Sequence, residues 1–189
     1  MNSESYLRKQ EFTIFFLKIC VPARSGGMDD YMFRVIRRKK NEISTEEARE
    51  LLRTARIGIL AVNGDEGYPY AIPINFFYDE ANGKVYFHGA RVGHKVDALK
   101  KCDKVCLTVL GPETVKKEAW APYVKSAVVF GRCHGVECTD KTLKTLKSFA
   151  MKYYPDEQTA DDEIDRSAGA VQIFEIEIEH ISGKEVQER

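Results

Sequence analysis

From Phe174 to Ile181 the chain reads Phe-Glu-Ile-Glu-Ile-Glu-His-Ile, apolar and charged side chains taking turns. Successive side chains of a strand point to opposite faces, so this run is satisfied as a β-strand with one face on a core and the other in water. Five further stretches read as strands: Ile57–Val62, Tyr68–Tyr78, a strand ending at His88-Gly89-Ala90, Lys104–Leu110 and Tyr123–Val136. Asn63-Gly64-Asp65-Glu66-Gly67 and Asn82-Gly83 supply turn residues able to take positive φ, so hairpins are expected at both. Six strands joined by hairpins, with no strand–helix–strand rhythm, point to a mainly β fold with flanking helices, a small antiparallel barrel.

Proline and glycine constrain the strands further. Pro69 and Pro73 lack a ladder donor, which places Tyr68–Tyr78 at an edge or bulge, its backbone free for other partners. Gly131 marks a bulge or a close approach in its strand. Ser44 and Glu47 form a capping box, and Ala48, Leu51, Leu52 and Ala55 follow at helical spacing, so this helix should plug one end of the core. A second helix covers Thr139–Tyr154, apolar at Leu143, Leu146, Phe149 and Ala150 and stopped by Pro155. Acidic Asp156–Asp165 reads as a loop, and Gly111–Pro122 as a loop with some helical character.

A length of 189 residues suits one domain, expected over 33–189. Residues 1–32 are an extension, and Met28 and Met32 offer later starts. Its apolar run Phe12–Val21 is interrupted by Lys18 and is far short of the roughly 20 residues a membrane span needs. Lys plus Arg and Asp plus Glu stand at 29 each, leaving no basic field for nucleic acid, and the cluster Arg34–Lys40 reads as a solvated arm. Cys20, Cys102, Cys106, Cys133 and Cys138 contain no C-x-x-C pair and are odd in number, which fits reduced thiols in the cytoplasm. With His88, His94 and His134 they match no compact zinc spacing, so no metal is expected.

One stretch carries chemistry. Past His88-Gly89-Ala90 a helix opens at Gly93-His94-Lys95. First-turn amides have no partner inside the helix, and its dipole adds positive charge there. Lys95 adds a full charge, His94 a further donor, and Gly89, Ala90 and Gly93 keep bulk away. The arrangement is built to receive an anion such as a phosphate.

Gly67-Tyr-Pro-Tyr-Ala-Ile-Pro-Ile-Asn75, Val85-Tyr-Phe-His-Gly-Ala90, Gly93-His-Lys95 and Ser126-Ala-Val-Val-Phe-Gly-Arg132, in this order, resemble the pyridoxamine-phosphate-oxidase-like flavoproteins, and within them the nitroimidazole-resistance branch. The resemblance covers Phe33–Ile181. It implies a six-stranded antiparallel Greek-key split barrel, a homodimer, and FMN at the subunit interface. His94 and Lys95 would hold the phosphate, with Gly93 opening their helix. His88, Gly89 and Ala90 would line the ribityl chain and flavin edge, and Pro73, Ile74 and Asn75 would meet the ring. His88 would be the catalytic group that orients or protonates a small electron-poor substrate such as a nitro compound, and Trp120, Ser126 or Arg132 would reach the site from the second subunit. The arginine-rich strand and arginine-bearing C-terminus of the true pyridoxamine phosphate oxidases have no counterpart here, which weighs against vitamin B6 oxidation. Two alternatives stay open: a haem or deazaflavin cofactor on the same scaffold, or flavin binding without turnover.

Overall fold

The computed structural model describes residues 33–118, 122–137, 139–167 and 170–187. The expectations about residues 1–32, Trp120 and Cys138 lie outside them. Seven strands, β1 (Ile57–Asn63), β2 (Pro69–Asn75), β3 (Phe77–Asp79), β4 (Lys84–Ala90), β5 (Lys104–Thr114), β6 (Tyr123–Val136) and β7 (Val171–Gln187), form one antiparallel sheet in the order β2-β1-β5-β6-β7-β4-β3. The strand expected over Tyr68–Tyr78 is two strands, which is why seven are found where six were counted. Its first part pairs with β1 (Pro73 opposite Ile59) and its second with β4 (Phe77 opposite Tyr86). Phe76, fully buried, stands at the switch. One stretch of chain thus joins the two ends of the sheet and curls it into a split barrel. Pro69 and Pro73 lie on the edge strand β2, as their missing donors require.

The barrel interior is filled by one cluster that includes Leu60, Phe87, Leu107, Val129, Phe174 and Ile176. Helix α1 (Thr45–Thr54) contributes Ala48, Leu51 and Leu52 to it, and α2 (His94–Lys101) contributes Val96, Ala98 and Leu99. The capping box on α1 forms as read: Glu47 N donates to Ser44 Oγ at 3.2 Å and Ser44 N donates to Glu47 Oε2 at 2.9 Å. Gly131 is the close approach, since a Cβ there would stand 2.2 Å from the Glu177 carbonyl oxygen. The register between β6 and β7 shifts beside it, Phe130 facing His180 and Gly131 facing Ile178, so the extra residue, Glu179, sits on β7.

Two loop expectations are corrected. β5 runs on to Thr114, through Pro112. Asp156–Asp165 is largely helix α4 (Glu157–Ser167), opened by Asp156, whose Oδ1 accepts from Thr159 N at 2.8 Å. An acidic face hid this helix, which buries Ala160 and is tied to α3 (Asp140–Tyr153) by Lys147, in ion pairs with Glu157 and Asp161. The alternation in β7 is not strict either: Glu175 is only 8 % exposed, held by Lys84 and by Tyr86 Oη at 2.7 Å.

The end of α3 clamps the switch at Phe76. Tyr153 Oη accepts from Phe76 N at 2.9 Å and stands 2.8 and 2.7 Å from the Phe76 and Arg56 carbonyl oxygens. Lys152 Nζ donates to the Phe76 carbonyl at 3.2 Å and lies 4.4 Å from the Phe76 ring centroid. Burial first, then the Arg56 charge, bring the Lys152 ammonium down to about 8. Because the folded protein releases this proton before the unfolded chain does, stability should rise with pH from about 8 toward the ordinary lysine value. Urea unfolding at pH 7.5 and 9.5 should show that rise in the wild type. It should be smaller in Lys152→Met, and an equal rise in both would exclude Lys152 as its source.

Candidate functional site

Alternation along β4 sends His88 and its neighbour Gly89 to opposite faces of the sheet. Gly89, between core residues Phe87 and, across the ladder, Phe174, faces the interior, and there the Lys95 side chain folds back. A Cβ at position 89 would stand 2.5 Å from Lys95 Nζ, so the missing side chain is what admits the amine. The ammonium lies 5.0 Å from the Phe87 ring centroid and 5.2 Å from that of Phe174, a geometry in which ring faces attract a cation. Burial lowers its pKa. Among the described residues it forms no ion pair, and the nearby Cys133 thiol, pushed up to about 12 by burial, stays neutral and cannot serve as a counter-ion. Gly93 precedes α2 with φ 115°, a value that favours glycine, and gives the helix no side-chain cap. A half-buried cation without an anion therefore sits in the first turn of an uncapped helix.

His94 is engaged elsewhere. Its ring stacks on Tyr70 with centroids 4.1 Å apart, and Nε2 lies 3.4 Å from Asp65 Oδ2. Lys101 holds the same carboxylate at 2.8 Å, so α2 is tied to the β1–β2 turn.

On the outer face of β4, His88 opens into a cleft of about 280 Å³ lined by Asn75, Phe149, Tyr153, Tyr154 and Glu163 among others. Its ring centroid is 5.4 Å from that of Phe149, and the imidazole has no hydrogen-bond partner among the described residues. Burial first, and the Lys95 charge second, lower its pKa, so the ring is neutral near pH 7 and holds one donor and one acceptor. Asn75 Nδ2 donates to the Arg56 carbonyl at 3.1 Å. The sequence reading named Phe149 among the apolar positions of its helix and assigned Tyr153 no role. Spacing was the available signal, since Tyr153 stands one turn beyond Phe149 on the stripe that faces the sheet.

The remaining candidates divide. Pro73 and Ala90 are exposed, whereas the Ile74 side chain is in the core and leaves only its backbone available. Ser126 is buried, and Arg132 is spanned by Asp103 and Glu179 of its own chain. His134, Glu175 and Glu177 bring potential ligand atoms within 4.8 Å of one another, a grouping the sequence reading did not consider. Lys84 forms ion pairs with both carboxylates and is the cation of that cluster.

Residues 44–185 match the model of a family described as pyridoxamine 5'-phosphate oxidase. No curated protein matches the sequence significantly. Among solved structures, a proposed 5-nitroimidazole antibiotic resistance protein from Bacteroides thetaiotaomicron superposes with a TM-score of 0.64 at 19 % identity, over 77 % of this chain and 87 % of the other. An FAD-binding protein from Mesorhizobium loti gives 0.57 at 21 % identity, over 77 % and 96 %. An FAD and haem binding protein from Mycobacterium smegmatis gives 0.60 at 20 %, over 77 % and 72 %. At these identities the likeness is one of fold.

Proposed function

The chain belongs to the pyridoxamine 5'-phosphate oxidase family, and from that premise we propose that it is an FMN-binding flavoprotein that reduces a small electron-poor substrate, such as a nitro compound. The observation that carries the reading is the Lys95 ammonium, half-buried and without a carboxylate, in the first turn of an uncapped helix. Those residues fit a phosphate monoester: Lys95 and the first amides of α2 would hold it, the β4 backbone at His88–Ala90 the chain beyond it, and the backbone of Pro73–Asn75 the ring. Flavin, when bound, supplies the redox chemistry. His88, neutral in its cleft, would donate a hydrogen bond to the substrate's developing negative charge at an imidazole nitrogen. Phe149 and Tyr153 line the cleft beside it. A second copy of the chain is the proposed partner. Ile57, Ile59, Leu110 and Phe130, on the outward face of β1, β5 and β6, are 59, 41, 60 and 38 % exposed, and such an apolar sheet face suits a symmetric dimer. No helix among the described residues is long and apolar enough to cross a membrane. Among the described residues Cys102, Cys106 and Cys133 form no disulfide, which supports a reducing, cytoplasmic setting.

The experiment is absorbance and mass spectrometry of the purified protein before and after incubation with FMN. Uptake of flavin supports the proposal, while protein that stays colourless removes it. A Soret band without flavin would favour haem, the cofactor named for the M. smegmatis neighbour beside FAD. Lys95→Met should weaken FMN binding about tenfold or more, the worth of one charge-assisted contact. His88→Ala should leave FMN binding within about twofold and lower nitro-compound turnover about a hundredfold, in the range of a lost proton donor. Turnover unchanged in that variant would take His88 out of the chemistry.

A further inference from the structure

A second cleft, of about 400 Å³, adjoins the one that holds His88 and shares Leu146 and Val171 with it. Its floor is made by β6 and β7 at Gly135, Val136, Gln172 and Ile173. Gln172 is pinned across that floor, Nε2 donating to the Val136 carbonyl at 2.8 Å and the Ile173 carbonyl at 2.9 Å. Gly135 makes room for it, since a Cβ there would stand 3.1 Å from the same nitrogen. Arg91, just past the end of β4, lines this cleft, and among the described residues its guanidinium takes part in no ion pair or hydrogen bond. Among the described residues the one carboxylate lining the cleft is that of Glu137, and it forms no ion pair there.

From this juxtaposition we infer that Arg91 reads an anionic substituent on the substrate, so that the preferred substrates are flat aromatic carboxylates, the ring lying against Phe149 and Leu146 beside His88 and the carboxylate reaching the second cleft. A guanidinium presents a fork of donors matched to a carboxylate and keeps its charge at every relevant pH. A neutral His88 adds no competing cation beside it. Glu137 opposes the anion and sets a limit on the preference, so its removal should raise the preference and not lower it.

The inference rests on the functional reading above for calling the bound molecule a substrate, but its test does not need flavin. Titration calorimetry with benzoate and with benzamide, a neutral molecule of nearly the same shape, reads the preference in the protein as purified. Benzoate should bind about tenfold more tightly, the advantage should shrink with salt because Arg91 is exposed, and it should vanish in Arg91→Gln while persisting in Glu137→Gln. Equal binding of the two, a preference that survives Arg91→Gln, or no binding of either at millimolar concentration would each overturn it. Failure to take up FMN with the benzoate preference intact would remove the flavin reading and leave the anion subsite standing.

Discussion

Replacing Gly131 by alanine is expected to cost about 3 kcal/mol, the upper part of the range for forcing an extra methyl into a filled space. The space at Gly131 is bounded by backbone: the new Cβ would stand 2.2 Å from the Glu177 carbonyl oxygen and 2.9 Å from Ile176 Cγ2. A flexible side chain could swing aside, but here β6 and β7 themselves must separate. They must do so where the extra residue Glu179 already shifts their register. Gly135→Ala, on the same strand, is the control. The three atoms its Cβ would meet first all belong to the Gln172 side chain, the nearest at 3.1 Å, so the loss should stay below about 1 kcal/mol. Thermal unfolding should therefore fall by roughly 10 °C in the first variant and by a degree or two in the second. Equal shifts would show that the contact with Glu177 is not what excludes a side chain at 131.

Local chemistry made much of the barrel legible. Asn82-Gly83, the two prolines of β2 and the Ser44–Glu47 box act within a few residues of themselves, and each sits where its own backbone preference requires. What could not be read were features decided at long range. Asn75 aside, nothing beside Phe76 is a turn residue, and the chain changes partners there because β1 and β4 lie on either side of it. Glu175 looks solvent-facing by its period, yet it is buried because Lys84 and Tyr86 arrive from β4 to satisfy it. α4 lacked a broad apolar stripe, and its signal was the Asp156 cap, outweighed in the reading by its acidic composition.

The site was legible in parts. Small residues before a cationic helix start did bring Gly89 and Lys95 together. The same block suggested that His88 belonged to that cradle, whereas strand alternation turns it outward, under α3. His94, beside Lys95 in sequence, is drawn away by Asp65 and Tyr70. The two clefts are built mostly by α3, α4 and the start of β7. Which face of β4 those elements would cover is a tertiary choice that no pattern within 73–95 contains.

That choice depends on Phe76, and Phe76→Ala is expected to cost about 3–5 kcal/mol, as removal of a fully buried ring commonly does. The ring packs beside Gly58, where a Cβ would already stand 3.3 Å from two of its carbons, and it lies under the Lys152 ammonium. Its loss leaves a cavity at the point where β2 hands over to β3. The backbone of residue 76 is held separately by the Tyr153 hydroxyl, whose removal in Tyr153→Phe leaves a part-buried N–H unpaired at a cost of about 1–3 kcal/mol. Ring and hydroxyl secure one switch, so their effects should not add: urea unfolding of the double variant should depart from the sum of the singles by at least about 0.5 kcal/mol. Asn75 and Tyr153 both line the His88 cleft, so Phe76→Ala should also weaken benzoate binding although residue 76 is not among the cleft's lining residues. Additive energies together with unchanged benzoate binding would mean that the switch closes the barrel without shaping the site.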